Sequence, residues 1–258
     1  MQIGISSSCF YPLETEKSLV RVGETGAKLT EVFVNSPSEL DKSFLKELNL
    51  IKNFYGMEIK SLHPFMSFGE GYYIFSDYKR RFTDSLEMYS RFFEATAEIG
   101  AKLFVLHGAK ILVIDKEEYA ERLFLLGERA KSFGVSVAHE NVVDYVGQDP
   151  DFMLYLKNRL SDDFKMVLDL KQARRAKVDP FEFIRKIGEN IVHVHVSDFR
   201  NGEDCLPPGE GNFDFTKLFR ELNGYEGSYI IELYTHNFDS DKQIVNGLNY
   251  LNEQFRNA

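Results

Sequence analysis

A chain of 258 residues with 43% hydrophobic and 28% charged residues can bury a large core, and it carries no low-complexity tract or charge block that would mark a disordered tail. Its formal net charge of -9 gives no general reason to expect a polyanionic partner, and its two cysteines, Cys9 and Cys205, support neither a disulfide framework nor a thiolate zinc cluster and fit a reducing cytoplasm. The N-terminal MQIGISSSCF lacks the basic and long apolar segments of an export signal, and no window approaches the roughly 18 apolar residues of a membrane span, so neither export nor insertion is expected.

In chain order, eight short β-rich runs alternate with helical stretches: QIGISS (2–7), KLTEVFV (28–34), MEIKSLH (57–63), KLFVLH (102–107), GVSVAHE (134–140), FKMVLD (164–169), IVHVHV (191–196) and SYIIEL (228–233). This alternation is the pattern of parallel βαβ units. Between the third and fourth runs, FTDSLEMYSRFFEATAEIG places Leu86, Tyr89, Phe92, Phe93 and Ala97 on one face at helical spacing. Helices are expected to end at Gly26, Gly100, Gly134 and Gly188, each glycine serving as a left-handed cap before the next strand. The first run is followed by Ser6-Ser7-Ser8-Cys9 and not by a glycine-rich phosphate turn, which disfavours a doubly wound dinucleotide fold. Eight runs predict an α/β fold, a (β/α)8 TIM barrel forming one domain over residues 1–258.

In such a barrel, alternate strand residues face the axis and chemistry gathers at the C-terminal strand ends. His63, His107, Glu140, Asp169, His195 and Glu232 fall at or near six successive strand ends. Parity places Ser136 and Ala138 inward with Glu140, and turns His139 outward with Val135 and Val137. His193 shares the inward face with His195, one layer deeper. Glu140, Asp169, His195 and Glu232 then present three carboxylates and one imidazole to a single opening, an arrangement that calls for a divalent cation. Oxygen-rich ligation with one histidine suits manganese, cobalt or magnesium, with zinc also compatible.

SLHPF, FVLHGA, VAHEN, MVLDL, HVHVSD, PPGEGNFDF and IIELY, in this order, make the chain resemble the xylose isomerase-like TIM barrel superfamily, in its sugar phosphate isomerase/epimerase branch. The resemblance runs nearly end to end. The ketose 3-epimerases of that family hold one metal with Glu, Asp, His and Glu from the fifth to eighth strands, which correspond here to Glu140, Asp169, His195 and Glu232. It implies isomerisation or epimerisation of a small ketose, polyol-derived or related hydroxycarbonyl substrate through an enediolate, with Glu140 and Glu232 moving protons on opposite faces of the reacting carbon. Arg200 becomes a candidate for holding a substrate oxygen, as do His63, His107 and Gln172. For His63 and His107 a structural role weighs about equally; for Glu210, in the PPGEGNFDF turn, so does a purely backbone role, with Asp214 expected to cap the following helix.

The superfamily also contains the three-zinc endonuclease of the deoxyribonuclease IV type. That family has a histidine where Gln172 stands, as many epimerases do, and an Asp-x-His where this chain reads GEDC. A three-metal site short of those ligands would not assemble, which argues against a nucleic-acid substrate. A metal-dependent dehydratase or lyase, and a sugar-binding barrel without turnover, remain the other readings, and a homo-oligomer stays open. Lys171, Arg174 and Arg175 follow the sixth strand and could bind a phosphate, but a run of charges opening a helix reads first as solvated surface; Phe10, Phe65, Phe68, Tyr72 and Tyr234 lie in expected mouth loops, where an aromatic face could pack on a sugar ring.

Overall fold

The computed structural model of the protein describes residues 2–200 and 202–258. Parallel strands β1 (Ile3–Ser6), β2 (Leu29–Phe33), β3 (Glu58–His63), β4 (Leu103–Leu106), β5 (Ser136–Glu140), β6 (Met166–Asp169) and β7 (Ile191–Val196) follow one another around a barrel, which β10 (Ser228–Ile231) closes by pairing with both β7 and β1. Each strand lies within one of the eight β-rich runs. A ninth feature was not expected: β8 (Asp198–Arg200) and β9 (Glu203–Leu206) form an antiparallel hairpin over the mouth end of β7.

After the barrel strands run the helices α1 (Thr15–Glu24), α2 (Lys42–Tyr55), α4 (Lys79–Glu98), α5 (Lys116–Lys131), α6 (Pro150–Leu160), α8 (Pro180–Ile187), α9 (Phe215–Glu221) and α10 (Asp241–Arg256), with two further short helices, α3 (Ser67–Tyr73) and α7 (Leu170–Arg175), at the mouth. Two of them open on Asp-Pro: the carboxylates of Asp149 and Asp179 accept from backbone amides of α6 and α8, and proline fills the first helical position. The four expected glycine caps all have positive φ, from 56° at Gly188 to 84° at Gly26. Asp214 caps α9, accepting from Lys217 N at 2.8 Å.

Two apolar layers follow from strand parity. Outward residues pack on the helices, as where Tyr89, Phe92 and Phe93 of α4 surround Phe104 with ring centroids 5.3–5.9 Å away. Inside the barrel Leu103, Val105, Ala138 and Val167 form a small separate core with Val192 packed against it. Above that apolar plug β3 and β5 to β7 carry polar inward residues at or near their ends, and His107 and Glu232 follow β4 and β10, so the barrel mouth is chemically furnished. No helix among the described residues is long and apolar enough to cross a membrane.

Candidate metal centre and cavity

Glu140 ends β5, Asp169 ends β6, His195 lies one residue from the end of β7 and Glu232 directly follows β10. All four are buried, and each offers a ligand atom within 4.8 Å of the others. That span is close to the roughly 4–4.6 Å separating opposite ligands around a divalent ion. His195 Nδ1 faces all three carboxylates, at 3.4 Å from Glu140 Oε1, 3.6 Å from Glu232 Oε2 and 3.7 Å from Asp169 Oδ2. Asp169 also caps α7, its Oδ1 accepting from Gln172 N at 2.8 Å, which turns its other oxygen toward the cluster.

The donor set fits a divalent cation. Glu140 Oε2 and Asp169 Oδ2 are buried with no hydrogen-bond partner among the described residues, a costly condition for two anionic oxygens. Burial and the neighbouring Glu140 and Glu232 charges push the Asp169 carboxyl up, against the pull of Lys171 and His195. At His195 burial opposes a positive charge, yet Glu31, Glu232, Asp169 and Glu140 outweigh it and raise the imidazole well above its ordinary value. A field that strongly favours a proton there favours a cation.

Directly beneath lies a carboxylate that a reading of strand ends passes over. Glu31, in the middle of β2 and fully buried, accepts from Ser61 Oγ at 2.7 Å and Ser6 Oγ at 3.2 Å, and lies 3.1 Å from the Nε2 atoms of both His193 and His195 and 3.3 Å from His63 Nδ1. Burial alone would raise its pKa, but those three imidazoles hold it well below the carboxylate range. His193 occupies the deeper layer that parity assigns it, its Nδ1 2.8 Å from Ser228 Oγ. Glu31 thus grips the far nitrogen of His195 and leaves Nδ1 for the cluster, the arrangement by which a carboxylate fixes a metal-binding imidazole.

His63 and His107 stand on the other side of Glu140, their Nε2 atoms 2.8 Å apart and 3.9 and 3.8 Å from Glu140 Oε2. Each has a carboxylate behind it. His63 Nδ1 faces Glu31 and Glu232, which overcome burial and lift it to about 10; His107 Nδ1 lies 3.1 Å from Glu70 Oε1 of α3. Glu70 also accepts from Gly108 N at 2.6 Å. Gly108 has φ +87°, and a Cβ there would lie 2.4 Å from His139 Nε2, so only glycine fits.

His139 itself turns outward as predicted. Its Nδ1–H donates to Glu140 O at 3.0 Å and its Nε2 accepts from Tyr119 Oη at 2.8 Å. Burial pushes it down from 6.5 to about 4. Between those pH values the unfolded chain binds a proton that the fold refuses, so stability falls as pH drops through this window. The contribution is whole above pH 6.5 and, at roughly 3 kcal/mol, is lost as pH falls through about 4. An NMR titration of the His139 ring should show it neutral at pH 5.5; a midpoint near 6.5 would contradict this.

The cluster opens into a cavity of about 690 Å3. Glu140 and Glu232 line it, together with His63, His107 and Gln172, whereas Asp169 and His195 are not among the lining residues. Gln172 is itself anchored, Oε1 accepting from Val143 N at 3.1 Å. Of the aromatic candidates, Phe65, Phe68 and Tyr234 line the cavity; Phe10 is core, and Tyr72 is exposed away from it.

Of three further residues, Lys171 and Arg200 depart from expectation and Glu210 takes the structural role left open for its turn. Lys171 is not solvated surface: it is 4% exposed, with Nζ 2.7 Å from Glu232 Oε2 and 3.2 Å from Asp169 Oδ2, in contact distance but not hydrogen-bond geometry for the latter. Burial opposes its charge, but Asp169 and Glu232 outweigh it and raise the ammonium pKa well above normal. Arg200 is not brought to the cavity. It lies on the hairpin, half exposed, with Nε donating to Glu203 Oε2 at 3.0 Å across the turn. Glu210 is likewise turned away, accepting from Gln243 Nε2 at 2.9 Å, while the backbone of its turn is gathered by the buried Asp198, which accepts from Gly209, Gly211 and Phe213 N at 2.9–3.0 Å.

Comparison with known proteins agrees with this architecture. The uncharacterized protein MJ1311 of Methanocaldococcus jannaschii is 26% identical over 250 residues, covering 90% of this chain and 83% of that protein. Among solved structures, a D-tagatose 3-epimerase-like protein superposes with a TM-score of 0.80 at 23% identity, covering 99% of this chain and 97% of that one. D-psicose 3-epimerase from Clostridium cellulolyticum H10, solved with D-tagatose, superposes with a TM-score of 0.79 at 16% identity, covering 100% and 99%. At these identities the superpositions speak for the fold. Residues 21–254 match the family described as xylose isomerase-like TIM barrel, and the chain belongs to that family.

Proposed function

We propose that the protein is a divalent-metal-dependent isomerase or epimerase of a small ketose, polyol-derived or related hydroxycarbonyl compound. One observation carries this reading: of four buried groups converging within 4.8 Å, the two glutamates, Glu140 and Glu232, also line the cavity. They are the carboxylates a substrate can reach, and they come from strands three places apart around the barrel. Each is therefore suited to move a proton at one face of a bound carbon. Glu140, Asp169, His195 and Glu232 would hold the ion, with manganese, cobalt or magnesium favoured by the oxygen-rich set and zinc compatible. When bound, it supplies Lewis acidity toward the carbonyl and adjacent hydroxyl oxygens.

The chain's own groups do the rest. His63, His107 and Gln172 border the cavity beside Glu140 and would orient hydroxyls, and Phe65, Phe68 and Tyr234 offer apolar faces for the sugar ring. The small barrel core beneath excludes water from the floor.

Metal analysis followed by solvent deuterium exchange into a panel of ketoses, with Mn2+ added, tests this. The expected outcome is one ion per chain and deuterium at a carbon next to the carbonyl of at least one substrate. Exchange into none, with the ion bound, would sink the catalytic reading in favour of a binding barrel. Loss of water from the substrate would mean a dehydratase, and three ions with incision of abasic DNA would mean the endonuclease.

A further inference from the structure

Lys171 is the only lysine or arginine among the described residues that reaches the four candidate ligands. It enters because α7 starts immediately after Asp169, so the second residue of the helix still points over the barrel mouth. There it cannot readily leave. Tyr234 packs over the ammonium with the ring centroid 5.0 Å from Nζ, and α7 is bound to the hairpin through Arg175, which pairs with Asp204 and donates to Tyr234 Oη at 3.0 Å. Its Nζ touches Glu232 and Asp169, two of the four groups a divalent ion would share.

We propose that Lys171 is a built-in competitor for the metal: a tethered cation that neutralises one of the three ligand carboxylates, lowers the affinity of the centre for divalent ions, and keeps those carboxylates apposed when no ion is bound. The inference rests on the metal-binding part of the proposed function and not on epimerase chemistry. Its physical basis is charge. Glu140, Asp169 and Glu232 offer three negative charges to an incoming ion, and Lys171 reduces this to two in a buried setting where solvent screens little. A divalent ion beside the ammonium closes the local balance at zero. Without the lysine the ion would meet a stronger field, while the empty cluster would keep only the imidazoles of His195 and His63 as counter-charges for its three carboxylates.

A purely structural lysine, or one that only contacts substrate, would not make its removal tighten metal binding. Mn2+ binding by isothermal titration calorimetry, on chelator-treated wild type, Lys171→Met and Lys171→Arg, measures this directly, with thermal unfolding in the presence and absence of Mn2+ as a second readout. We expect Lys171→Met to bind Mn2+ at least about tenfold more tightly than wild type and Lys171→Arg to stay within about threefold. The metal-free Lys171→Met protein should melt below wild type and gain more from Mn2+. If it does not fold without the ion, Lys171→Gln, which also removes the charge, takes its place, and both are compared by chelator competition after refolding with Mn2+. Equal or weaker binding by the charge-removing variants, with wild type binding normally, overturns the competitor role and leaves the metal reading standing. Failure of wild type and every variant to bind overturns both.

Discussion

Glu31→Ala should destabilise the protein by about 3–5 kcal/mol and weaken Mn2+ binding by roughly 10–100-fold. The first effect follows from what the carboxylate holds. Two serine hydroxyls and three imidazoles, all buried, converge on the fully buried carboxylate, and an alanine would leave all of them facing an apolar gap. The second follows from His195. With Glu31 gone, nothing fixes which ring nitrogen carries the proton, and Nδ1 is no longer reserved for the cluster. Glu31→Gln separates the two effects, since it fills the volume and retains one acceptor but cannot accept from all three rings, so it should recover more stability than metal affinity. Urea unfolding and Mn2+ titration check the pair; a Glu31→Ala protein with wild-type stability and affinity would remove Glu31 from the role given to it.

Glu31 also shows where a sequence reading stops. Its signal was present, because it is the one charged residue inside LTEVF, with the parity of the cavity-lining Phe33, but strand ends draw the attention in a TIM barrel and Glu31 sits mid-strand. β-rich runs alternating with helical stretches locate all eight barrel strands, and parity then sets Glu140, His193 and His195 inward, since a strand has only two faces and the barrel supplies the axis. Lys171, Arg174 and Arg175 resist such reasoning. Their i, i+3, i+4 spacing resembles a solvated helix face, and it becomes a covered one only because the hairpin and Tyr234 lie over α7: Arg174 stacks 3.9 Å above Phe199, and Arg175 pairs with Asp204. The hairpin had its own cue in the Asn-Gly pair at 201–202, the strongest short-range hairpin signal. The hairpin pairs Arg200 with Glu203, and that pairing holds the guanidinium away from the cavity.

Glu140→Gln and Glu232→Gln should each lower epimerisation of an accepted ketose by roughly 10²–10⁴-fold, the usual worth of a positioned acid or base. A glutamine keeps the size of the side chain and one oxygen but can neither take nor return a proton. The two substitutions should not be equivalent in what they leave behind. Glu232 sits against Lys171, His195 and His63, which hold it well below the carboxylate range despite burial; Glu140 has one oxygen toward His195 and the other without a partner. Removing the charge of Glu232 therefore also strips the nearer of two counter-charges from Lys171, and Glu232→Gln should lose more stability than Glu140→Gln. If the glutamates serve opposite faces, whatever slow deuterium exchange survives in one variant should be confined to one epimer, and in the other variant to its partner. Deuterium NMR on each pure epimer reads this out, with Mn2+ occupancy measured alongside so that loss of the ion is not mistaken for loss of the base. Full-rate exchange into both epimers by either variant, at full occupancy, would mean that the proton is moved by some other group.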